Sequence, residues 1–155
     1  MNITVTLNGT VRTAEVRPDT TLFDFLREQG CYSVKCGCET SNCGLCTVHL
    51  DGHPVLSCSV LAVRADGHTI DTLEGLQEEA AAFGACLADE GAEQCGLCSP
   101  GLILSVLAMA RELQNPTDDE IRHYLAGNLC RCTGYQGQLR AIRRYLTERK
   151  EASRA

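Results

Sequence analysis

The sequence has no tryptophan, few aromatic residues and no long apolar run, which excludes hydrophobic cores built on aromatic residues and a membrane-spanning helix. Aromatic residues make up 5% of 155 residues, so the hydrophobic cores must be built from Leu, Val, Ile and Ala. The longest apolar stretch, residues 102–110 with Ser105 inside it, is far shorter than the ~20 residues of a membrane-spanning helix. The N-terminal residues MNITVTLNGT alternate like a strand and lack the apolar centre of a signal peptide. We therefore expect a cytoplasmic chain without a membrane span.

The charge is acidic overall and unevenly distributed. The formal net charge is −6, with an acidic excess in residues 1–139 and a basic excess in residues 140–155. An acidic body argues against nucleic acid as a partner. The basic segment is either a solvated last helix, whose cations suit its C-terminal dipole, or a contact with an acidic partner. Its cations are Arg140, Arg143, Arg144, Arg149, Lys150 and Arg154.

Cysteine is the residue that the sequence has in excess. The count is eleven, and an odd number in a reducing compartment favours metal ligands over a disulfide framework. Eight of them fall into two sets of four, the number of thiolates that holds a [2Fe–2S] cluster. The first set is Cys38, Cys43, Cys46 and Cys58, and the second set is Cys95, Cys98, Cys130 and Cys132.

The first set has the plant-type spacing, Cys-x4-Cys-x2-Cys with a distant fourth cysteine. We expect a loop to supply three thiolates and a strand to supply the fourth, Cys58. Gly37 and Gly44 would let the backbone approach the cluster, where N–H donors stabilise the reduced state and raise its potential. A structural zinc site, which also takes four cysteines, is the alternative.

The second set lies at two predicted helix starts. Its first two cysteines precede a helix that Ser99 would cap and Pro100 would begin. Its other two cysteines precede a helix near Gly137. Both helix N-termini would then favour negative charge at one site, which suits an anionic cluster. Zinc is again the alternative, and the ferredoxin-like spacing of the first set argues against it.

Three cysteines remain outside the two sets. Cys86 lies in an apolar helical pattern, which predicts a small core residue, and Cys31 has no assigned role. Cys36 stands two residues from Cys38 and is either an alternative ligand or, more simply, a bystander thiol. None of the four histidines pairs with another at ligand spacing, and no nucleophile–base pair or phosphate loop is present. We therefore predict no catalytic residue on this chain.

The pattern of apolar residues changes near residue 73. Before it, alternating segments around the turn signals Asn8-Gly9 and Asp51-Gly52 predict a small mixed sheet with one short helix. After it, helical patterns predict four helices, one opened by a capping box, Thr117-x-x-Glu120. The sequence thus predicts an α+β chain of two domains, residues 1–76 and 77–155. Metal cross-links would stabilise domains this small.

Several stretches together resemble the small iron–sulfur subunit of the molybdenum hydroxylases, the xanthine dehydrogenase and aldehyde oxidoreductase family. The resemblance extends over residues 3–147, nearly the whole chain. The stretches that carry it are Gly37-Cys38-Glu39, Cys43-Gly44-Leu45-Cys46-Thr47-Val48, Leu73-Glu74-Gly75-Leu76, Gln94-Cys95-Gly96-Leu97-Cys98-Ser99-Pro100-Gly101 and Gly127-Asn128-Leu129-Cys130-Arg131-Cys132-Thr133-Gly134-Tyr135.

The resemblance implies a fold and a role. It implies an N-terminal β-grasp domain of the plant-type ferredoxin kind and an all-α four-helix domain, each with a [2Fe–2S] cluster. It implies an oxidoreductase subunit that relays electrons between molybdopterin on a large partner subunit and FAD on a medium one, in a heterotrimer or a dimer of heterotrimers. Family members place the Gln of Gln-Cys-Gly and the last Cys of Cys-Arg-Cys beside the pterin, and here these are Gln94 and Cys132.

The reaction of the whole complex is left open by the sequence. The resemblance implies hydroxylation of an N-heterocycle, a purine or an aldehyde, whereas some relatives remove a hydroxyl from an aromatic ring. A free-standing ferredoxin-like electron carrier is the alternative function. One residue departs from the family pattern, since Ser41 stands where glycine is usual. We expect the cluster to form nonetheless, because Ser41 can hydrogen-bond locally and Asn42 tolerates positive φ. The departure bears on the potential of the cluster and its exposure to the flavin.

Overall fold

The first half of the chain folds around a mixed five-stranded sheet, and the second half is helical. The computed structural model of the protein describes residues 1–152. The strands are β1 (Asn2–Leu7), β2 (Thr10–Glu15), β3 (Thr47–Leu50), β4 (His53–Leu56) and β5 (Thr69–Asp71). The helices are α1 (Leu22–Glu28), α2 (Gln77–Asp89), α3 (Ser99–Glu112), α4 (Asp118–Tyr124) and α5 (Gln136–Ala152).

The sheet has the strand order β2-β1-β5-β3-β4. Strands β1 and β5 are parallel, and the other neighbouring pairs are antiparallel. The two predicted hairpins both form, with φ of 49° at Asn8 and 50° at Asp51, each followed by a glycine with positive φ. Two consecutive left-handed residues match the twist of the strands they join. The predicted mixed sheet with one short helix is confirmed.

Helix α1 closes the first core against the sheet. The Thr21 hydroxyl caps the helix by accepting a hydrogen bond from the Asp24 N–H at 3.1 Å. The apolar side of the helix, Leu22, Phe25 and Leu26, is at most 1% exposed and packs in the same core as the buried residues of β1. Burial of these side chains is what holds the small domain together in the absence of larger aromatics.

Helix α3 is the centre of the second half. Residues 101–109 are all buried, as the apolar pattern on every side of this helix predicts. Around it, Phe83 of α2 and Tyr145 of α5 stack with their ring centroids 5.3 Å apart. Helix α4 opens with the predicted capping box between Thr117 and Glu120. No helix within residues 1–152 is long and apolar enough to cross a membrane.

The position of Cys58 differs from the sequence-based prediction. Strand β4 ends at Leu56, and Cys58 lies in the 3₁₀ turn that follows, Ser57–Ser59, rather than on a strand. The turn forms because the buried Ser57 hydroxyl donates to the Cys46 carbonyl oxygen at 2.7 Å. A strand-like run of apolar residues does not reveal this side-chain bond, and so the prediction extended the strand too far.

The starts of two helices are also shifted from their predicted positions. Cys98, and not Ser99, occupies the cap position of α3, and Ser99 is the first helical residue. Helix α5 begins at Gln136, so Gly137 lies inside its first turn instead of before it. Both errors are one or two residues long, which is the usual uncertainty of helix ends.

The two halves have separate hydrophobic cores. One contains buried residues from Ile3 to Ile70, and the other contains buried residues from Ala80 to Tyr145. Leu73 and Leu76 pack against the second core. The domain boundary at residue 76 stays a prediction. In the structure, Ile70 belongs to the first hydrophobic core and Leu73 packs against the second, so the chain passes from one core to the other between these residues.

The junction between the halves is tied to the start of the cysteine-rich loop. The Glu74 carboxylate accepts hydrogen bonds from the Ser33 backbone N–H at 2.7 Å and from the Thr72 hydroxyl at 2.6 Å. Partial burial pushes the pKa of Glu74 upward, but the bonds from Ser33 and Thr72 outweigh it and hold this pKa below its usual value. The loop therefore has a fixed anchor outside its own residues.

Arginines of the basic segment pair within the second half. Three of them contact acidic residues on other helices: Arg140 with Glu90, Arg143 with Asp118 and Arg144 with Asp89. The side chains of these pairs are mostly half-exposed, so each pair contributes little to stability. For these three arginines, the pairing agrees with the first interpretation of the basic segment, a last helix whose outer face is solvated. Arg154 lies outside the described residues.

His49 joins the two halves through a buried hydrogen bond. Its side chain on β3 is fully buried, and Nε2–H donates to the Leu104 carbonyl oxygen of α3 at 2.8 Å. The other ring nitrogen, Nδ1, is buried without a hydrogen-bond partner among the described residues. Burial lowers the pKa of His49, with the nearby Arg111 acting in the same direction. The hydrogen bond to Leu104, and after it the nearby Asp71 and Glu79, act in the opposite direction. The folded protein therefore favours the neutral imidazole more strongly than the unfolded chain does.

We predict that His49 makes the protein less stable in mild acid. The unfolded chain takes up a proton near the usual histidine value of about 6.5, whereas the folded chain resists it, so the free energy of unfolding falls as pH drops below that value. His49→Phe should lower stability by about 1–2 kcal/mol at pH 8, because the bond to Leu104 is lost, and by less at pH 5.5. Denaturant unfolding at both pH values measures this. Val48→Ala is the control, since it removes a buried neighbour without a titratable group; an equal loss for His49→Phe at both pH values would contradict the prediction.

Candidate metal centres

The structure brings the four cysteines of the first set together. Cys38, Cys43, Cys46 and Cys58 line one small cavity, closed by Phe23, Lys35 and Leu56. The first three come from the loop between α1 and β3, and Cys58 comes from the turn after β4. The β3–β4 hairpin brings the two segments together, because Thr47 pairs with Leu56 in its register. The fourth thiol reaches the loop through sheet pairing rather than through nearness in sequence.

The sulfur atoms of the first set are arranged in pairs. Cys38 interacts with Cys43, and Cys46 interacts with Cys58, through their side chains. Backbone N–H groups of Thr40 and then Asn42 lower the pKa of Cys38 to about 6. Burial, with the neighbouring Cys58, raises the pKa of Cys46 to about 11. Thiols this close cannot all become thiolates unless a cation neutralises them, and bound metal does this.

The loop backbone supplies N–H groups to the sulfurs. The Asn42 N–H points at Cys38 Sγ at 3.5 Å. A Cβ at Gly37 would lie 2.7 Å from a methyl group of Leu45 and 3.4 Å from Cys43 Sγ, so a larger residue there would require the Leu45 side chain to shift. Ser41 takes the left-handed conformation, with φ of 57°, although it carries a side chain. The loop thus keeps a backbone shape that favours glycine at a position occupied by serine.

The second set converges at the start of α3. Cys98 caps that helix and interacts with Cys130, while Cys132 Sγ lies 3.5 Å from Cys95 Sγ. Burial and the neighbouring Cys130 raise the pKa of Cys98 to about 11. Burial also acts to raise the pKa of Cys130, but hydrogen bonds from Thr133 and the backbone outweigh it and lower this pKa to about 7. As in the first set, crowded sulfurs share one small volume.

Sequence reasoning missed three side chains that shape the second site. Gln138 is buried in α5, and its amide approaches Cys98 Sγ at 3.9 Å. The Thr133 hydroxyl lies 3.1 Å from Cys130 Sγ, and the Tyr135 hydroxyl accepts from the Cys130 N–H at 2.9 Å. The only signal in the sequence is that a buried polar residue, Gln138, occupies an apolar helical position. The helix dipole of α5 contributes less at Cys132 than predicted, because residues 133–135 separate this cysteine from the start of the helix.

The donor sets fit diiron clusters better than zinc. All eight predicted ligands are thiols, the ligand that iron–sulfur clusters require, and they pair two by two. A [2Fe–2S] cluster needs two thiolates on each iron, whereas a zinc site draws four thiolates around one ion. This arrangement favours a cluster with two metal atoms at each site.

The two sites are joined through the main chain. The Leu129 N–H donates to the Cys43 carbonyl oxygen at 2.9 Å, which connects a first-site residue to the neighbour of Cys130. Cys43 lines one further cavity together with Cys98 and Cys130 of the second site. The sequence offers no signal for this contact, since it joins residues 86 positions apart in loops of irregular structure.

Glycines allow this close approach of the two halves. A Cβ on Gly101 would lie less than 3.0 Å from the Gly44 carbonyl oxygen. A Cβ on Gly44, whose φ is +72°, would lie less than 3.0 Å from the Gly127 carbonyl oxygen. Backbone therefore packs directly on backbone at these two glycines, between the two candidate sites.

The remaining cysteines and the predicted pterin-side residues are placed as follows. Cys31 and Cys86 are buried, and Cys86 lies in α2 as predicted. Cys36 is exposed at the edge of the first cavity, and its thiol donates to the Cys38 carbonyl oxygen at 3.4 Å. Gln94 and Cys132 are both exposed at the second site, on the surface of the molecule.

The surface around the second site is apolar as well as exposed. Leu97, Leu129 and Tyr135 are 48%, 47% and 43% exposed and line the same groove as Cys95 and Cys132. Large exposed apolar side chains clustered in one place are typical of a protein–protein interface. The first site has no comparable group within the small cavity that its cysteines line.

Two family models match the chain. The model described as 2Fe-2S iron-sulfur cluster binding domain matches residues 5–88, and the model described as [2Fe-2S] binding domain matches residues 72–143. The first match covers the candidate site in the sheet half, and the second covers the candidate site in the helical half. Both halves thus correspond to domains that bind [2Fe–2S] clusters.

Known proteins similar in sequence are iron–sulfur subunits. The chain is 45% identical over 152 residues to the nicotinate dehydrogenase small FeS subunit of Eubacterium barkeri, covering 96% of each chain. It is 47% identical over 140 residues to the xanthine dehydrogenase iron-sulfur-binding subunit of Escherichia coli O157:H7, covering 88% of each. These relatives match along nearly their full length.

Solved structures show the same architecture. The chain matches quinoline 2-oxidoreductase from Pseudomonas putida 86 with a TM-score of 0.89 and 39% identity, over 98% of this chain and 96% of that one. It also matches aldehyde oxidoreductase from Desulfovibrio gigas with a TM-score of 0.88 and 34% identity, over 98% of this chain but 17% of the other. The second protein therefore contains a region of this architecture within a much longer chain.

Proposed function

Because the chain belongs to the family of small iron–sulfur subunits of the molybdenum hydroxylases, we propose that it is the electron-transfer subunit of a multi-subunit enzyme. In this proposal Cys38, Cys43, Cys46 and Cys58 hold one [2Fe–2S] cluster, and Cys95, Cys98, Cys130 and Cys132 hold the other. When bound, each cluster supplies one-electron redox chemistry. The polypeptide positions the two sites and sets the charge and hydrogen bonding around their sulfurs.

The contact between the two sites is the observation that carries the proposal. The Leu129–Cys43 hydrogen bond joins the loops of both cysteine sets directly, and glycine packing holds the loops close. A protein that only stored metal for stability would gain nothing from bringing its two sites together at a common boundary. A protein that passes electrons from one site to the other requires it.

The surface around the second site supports a large partner subunit on that side. Exposed Gln94 and Cys132 lie beside the apolar side chains Leu97, Leu129 and Tyr135. We propose that this surface contacts the molybdopterin-binding subunit and that Gln94 and Cys132 approach the pterin. The first site would then face an FAD-binding subunit, so that electrons pass between the molybdenum cofactor and FAD through this chain, in a heterotrimer.

The similar proteins favour a substrate class for the complex. Nicotinate, xanthine and quinoline, in the names of the similar proteins, are all nitrogen heterocycles. We propose that the complex hydroxylates a carbon beside nitrogen in such a ring. Assay of the purified complex against N-heterocycles, purines, aldehydes and phenolic catechols tests this. Turnover of aldehydes alone, or reductive loss of a hydroxyl from a catechol, would contradict hydroxylation of a nitrogen heterocycle.

The free-standing carrier is the competing function, and metal analysis with co-purification separates the two. We expect about four irons and about four acid-labile sulfides per chain, two rhombic EPR signals in the dithionite-reduced protein, and a molybdopterin-containing partner retained on an affinity-tagged chain. A stable monomer with both signals but no partner would favour the carrier. A colourless sample without sulfide, prepared anaerobically, would point to zinc and overturn both.

A further inference from the structure

Ser41 occupies a backbone conformation that is unfavourable for it. Its φ is 57°, in the left-handed region, where residues other than glycine are uncommon and asparagine, aspartate and histidine are the usual exceptions. The neighbouring Asn42, which would tolerate this conformation better, does not take it. A strained residue that persists beside a candidate site requires a compensating interaction.

The Ser41 side chain has that interaction. Its hydroxyl lies 3.8 Å from Cys58 Sγ, and it accepts a hydrogen bond from the Ser59 hydroxyl at 2.7 Å. Ser59 Oγ is itself 3.7 Å from the same sulfur. The two hydroxyls come from different segments, the cysteine loop and the turn after β4, and meet beside one thiol.

The direction of these hydrogen bonds follows from the number of protons. Each serine hydroxyl has one proton to donate. Ser59 donates its proton to Ser41, which leaves the proton of Ser41 free to point at Cys58 Sγ. When Cys58 is a thiolate it has no proton of its own and can only accept, so with Ser59 donating to Ser41 the chain runs from Ser59 through Ser41 to the sulfur. A hydroxyl that already accepts a hydrogen bond is polarised and is a stronger donor.

We infer that Ser41 and Ser59 form a two-hydroxyl chain that stabilises negative charge on Cys58 and so raises the reduction potential of the first site. The inference rests on the proposed function, because it requires a cluster held by Cys58. One-electron reduction adds negative charge that the cluster shares with its thiolate ligands, and a donor to a thiolate stabilises the reduced state more than the oxidised state. Ser41 is a positioning residue here: it acts through Cys58 and does not itself bind metal.

The chain acts on one site only. The nearest hydroxyl contact at the second site is that of Thr133 with Cys130, in the other half of the molecule. Changes at Ser41 or Ser59 should therefore move the potential of the first site and leave that of the second site as an internal reference. This separates tuning of one sulfur from a general loss of stability, which would affect both sites.

The test is an EPR-monitored redox titration of the full-length, cluster-loaded protein. Ser41→Ala and Ser59→Ala each interrupt the chain, and Ser41→Gly removes the hydroxyl while relieving the backbone strain. We expect each variant to lower the reduction equilibrium constant of the first site by three- to tenfold, where tenfold is 59 mV. Thr40→Val is the control, because it removes a hydroxyl from the same loop that bonds to the Asn42 amide instead of to a cysteine.

The outcomes distinguish this inference from the proposed function. A change below threefold in Ser41→Gly and Ser59→Ala, with both signals intact, would overturn the hydroxyl chain and leave the two-cluster proposal standing. A shift in Ser41→Gly alone would also overturn it, because the backbone and not the chain would then set the potential. If Ser41→Ala fails to hold its cluster, the other two variants decide. Absence of either signal in the unmodified protein would contradict the proposed function itself.

Discussion

Replacing Cys130 by alanine is expected to abolish one of the two [2Fe–2S] EPR signals and to leave the other. Cys130 interacts with Cys98 at the second site, and in the proposed ligand assignment one iron would lack a ligand without its thiolate. Alanine is preferred to serine because a serine oxygen can still bind iron. Iron analysis should give about two irons per chain in place of about four. Cys46→Ala should abolish the complementary signal, since Cys46 pairs with Cys58 at the first site.

Cys36→Ala is the matched control for these two variants. Cys36 lies at the edge of the first cavity and is exposed, but its thiol points at a backbone carbonyl. Both signals and the full iron content should remain after this change. Loss of a signal in Cys36→Ala would show that the ligand assignment is wrong. Loss of both signals in Cys130→Ala, with the helical content retained by circular dichroism, would contradict two separate sites.

The second large effect is expected from a single methyl group at Gly101. Gly101→Ala would place its Cβ less than 3.0 Å from the Gly44 carbonyl oxygen, which is a backbone atom and not the flexible end of a side chain. Relief requires the two halves to move apart, which overpacking studies indicate would cost about 2–3 kcal/mol. For a chain of this size, the thermal midpoint should fall by about 4–12 °C. Circular dichroism during a temperature ramp measures it.

Gly84→Ala, a second glycine-to-alanine change within a helix, is expected to raise the thermal midpoint instead of lowering it. Gly84 also lies in a helix, α2, but a Cβ there would have nothing within 4 Å. Alanine at an open helical position is stabilising by about 0.5–1 kcal/mol, because glycine loses more backbone entropy on folding. The pair of variants therefore separates helix propensity from contact between the halves. A thermal midpoint for Gly101→Ala at or above that of the unmodified protein would contradict the close packing.

Much of the fold follows from local sequence patterns. The turns at Asn8-Gly9 and Asp51-Gly52 and the capping box at Thr117 each depend on residues within a few positions, and all form as predicted. The burial of α3 follows from its apolar composition. Cys58 shows the limit, because its 3₁₀ turn depends on a side-chain bond from Ser57 to the distant Cys46 carbonyl.

The sequence predicts which cysteines belong to each candidate site, but not the contacts that surround their sulfur atoms. Spacing groups the eight cysteines, and the structure brings each set together. The pairing of sulfurs, the hydroxyl chain at Cys58 and the Leu129–Cys43 bond all join residues from different segments. Such contacts depend on how the sheet and helices pack, and no local pattern encodes that arrangement. The assignment of ligands to clusters stays a prediction that the cysteine variants test.

The main-chain hydrogen bond between Leu129 and Cys43 has a consequence for how this protein can vary. The side chain of Leu129 takes no part in the bond and is half exposed. Substitutions there can reshape the outer surface without altering the spacing between the two candidate sites. Gly44 and Gly101 have no such freedom, because a Cβ on either would lie less than 3.0 Å from a backbone carbonyl oxygen. The outer surface can thus diverge among homologues while the interior contact stays fixed.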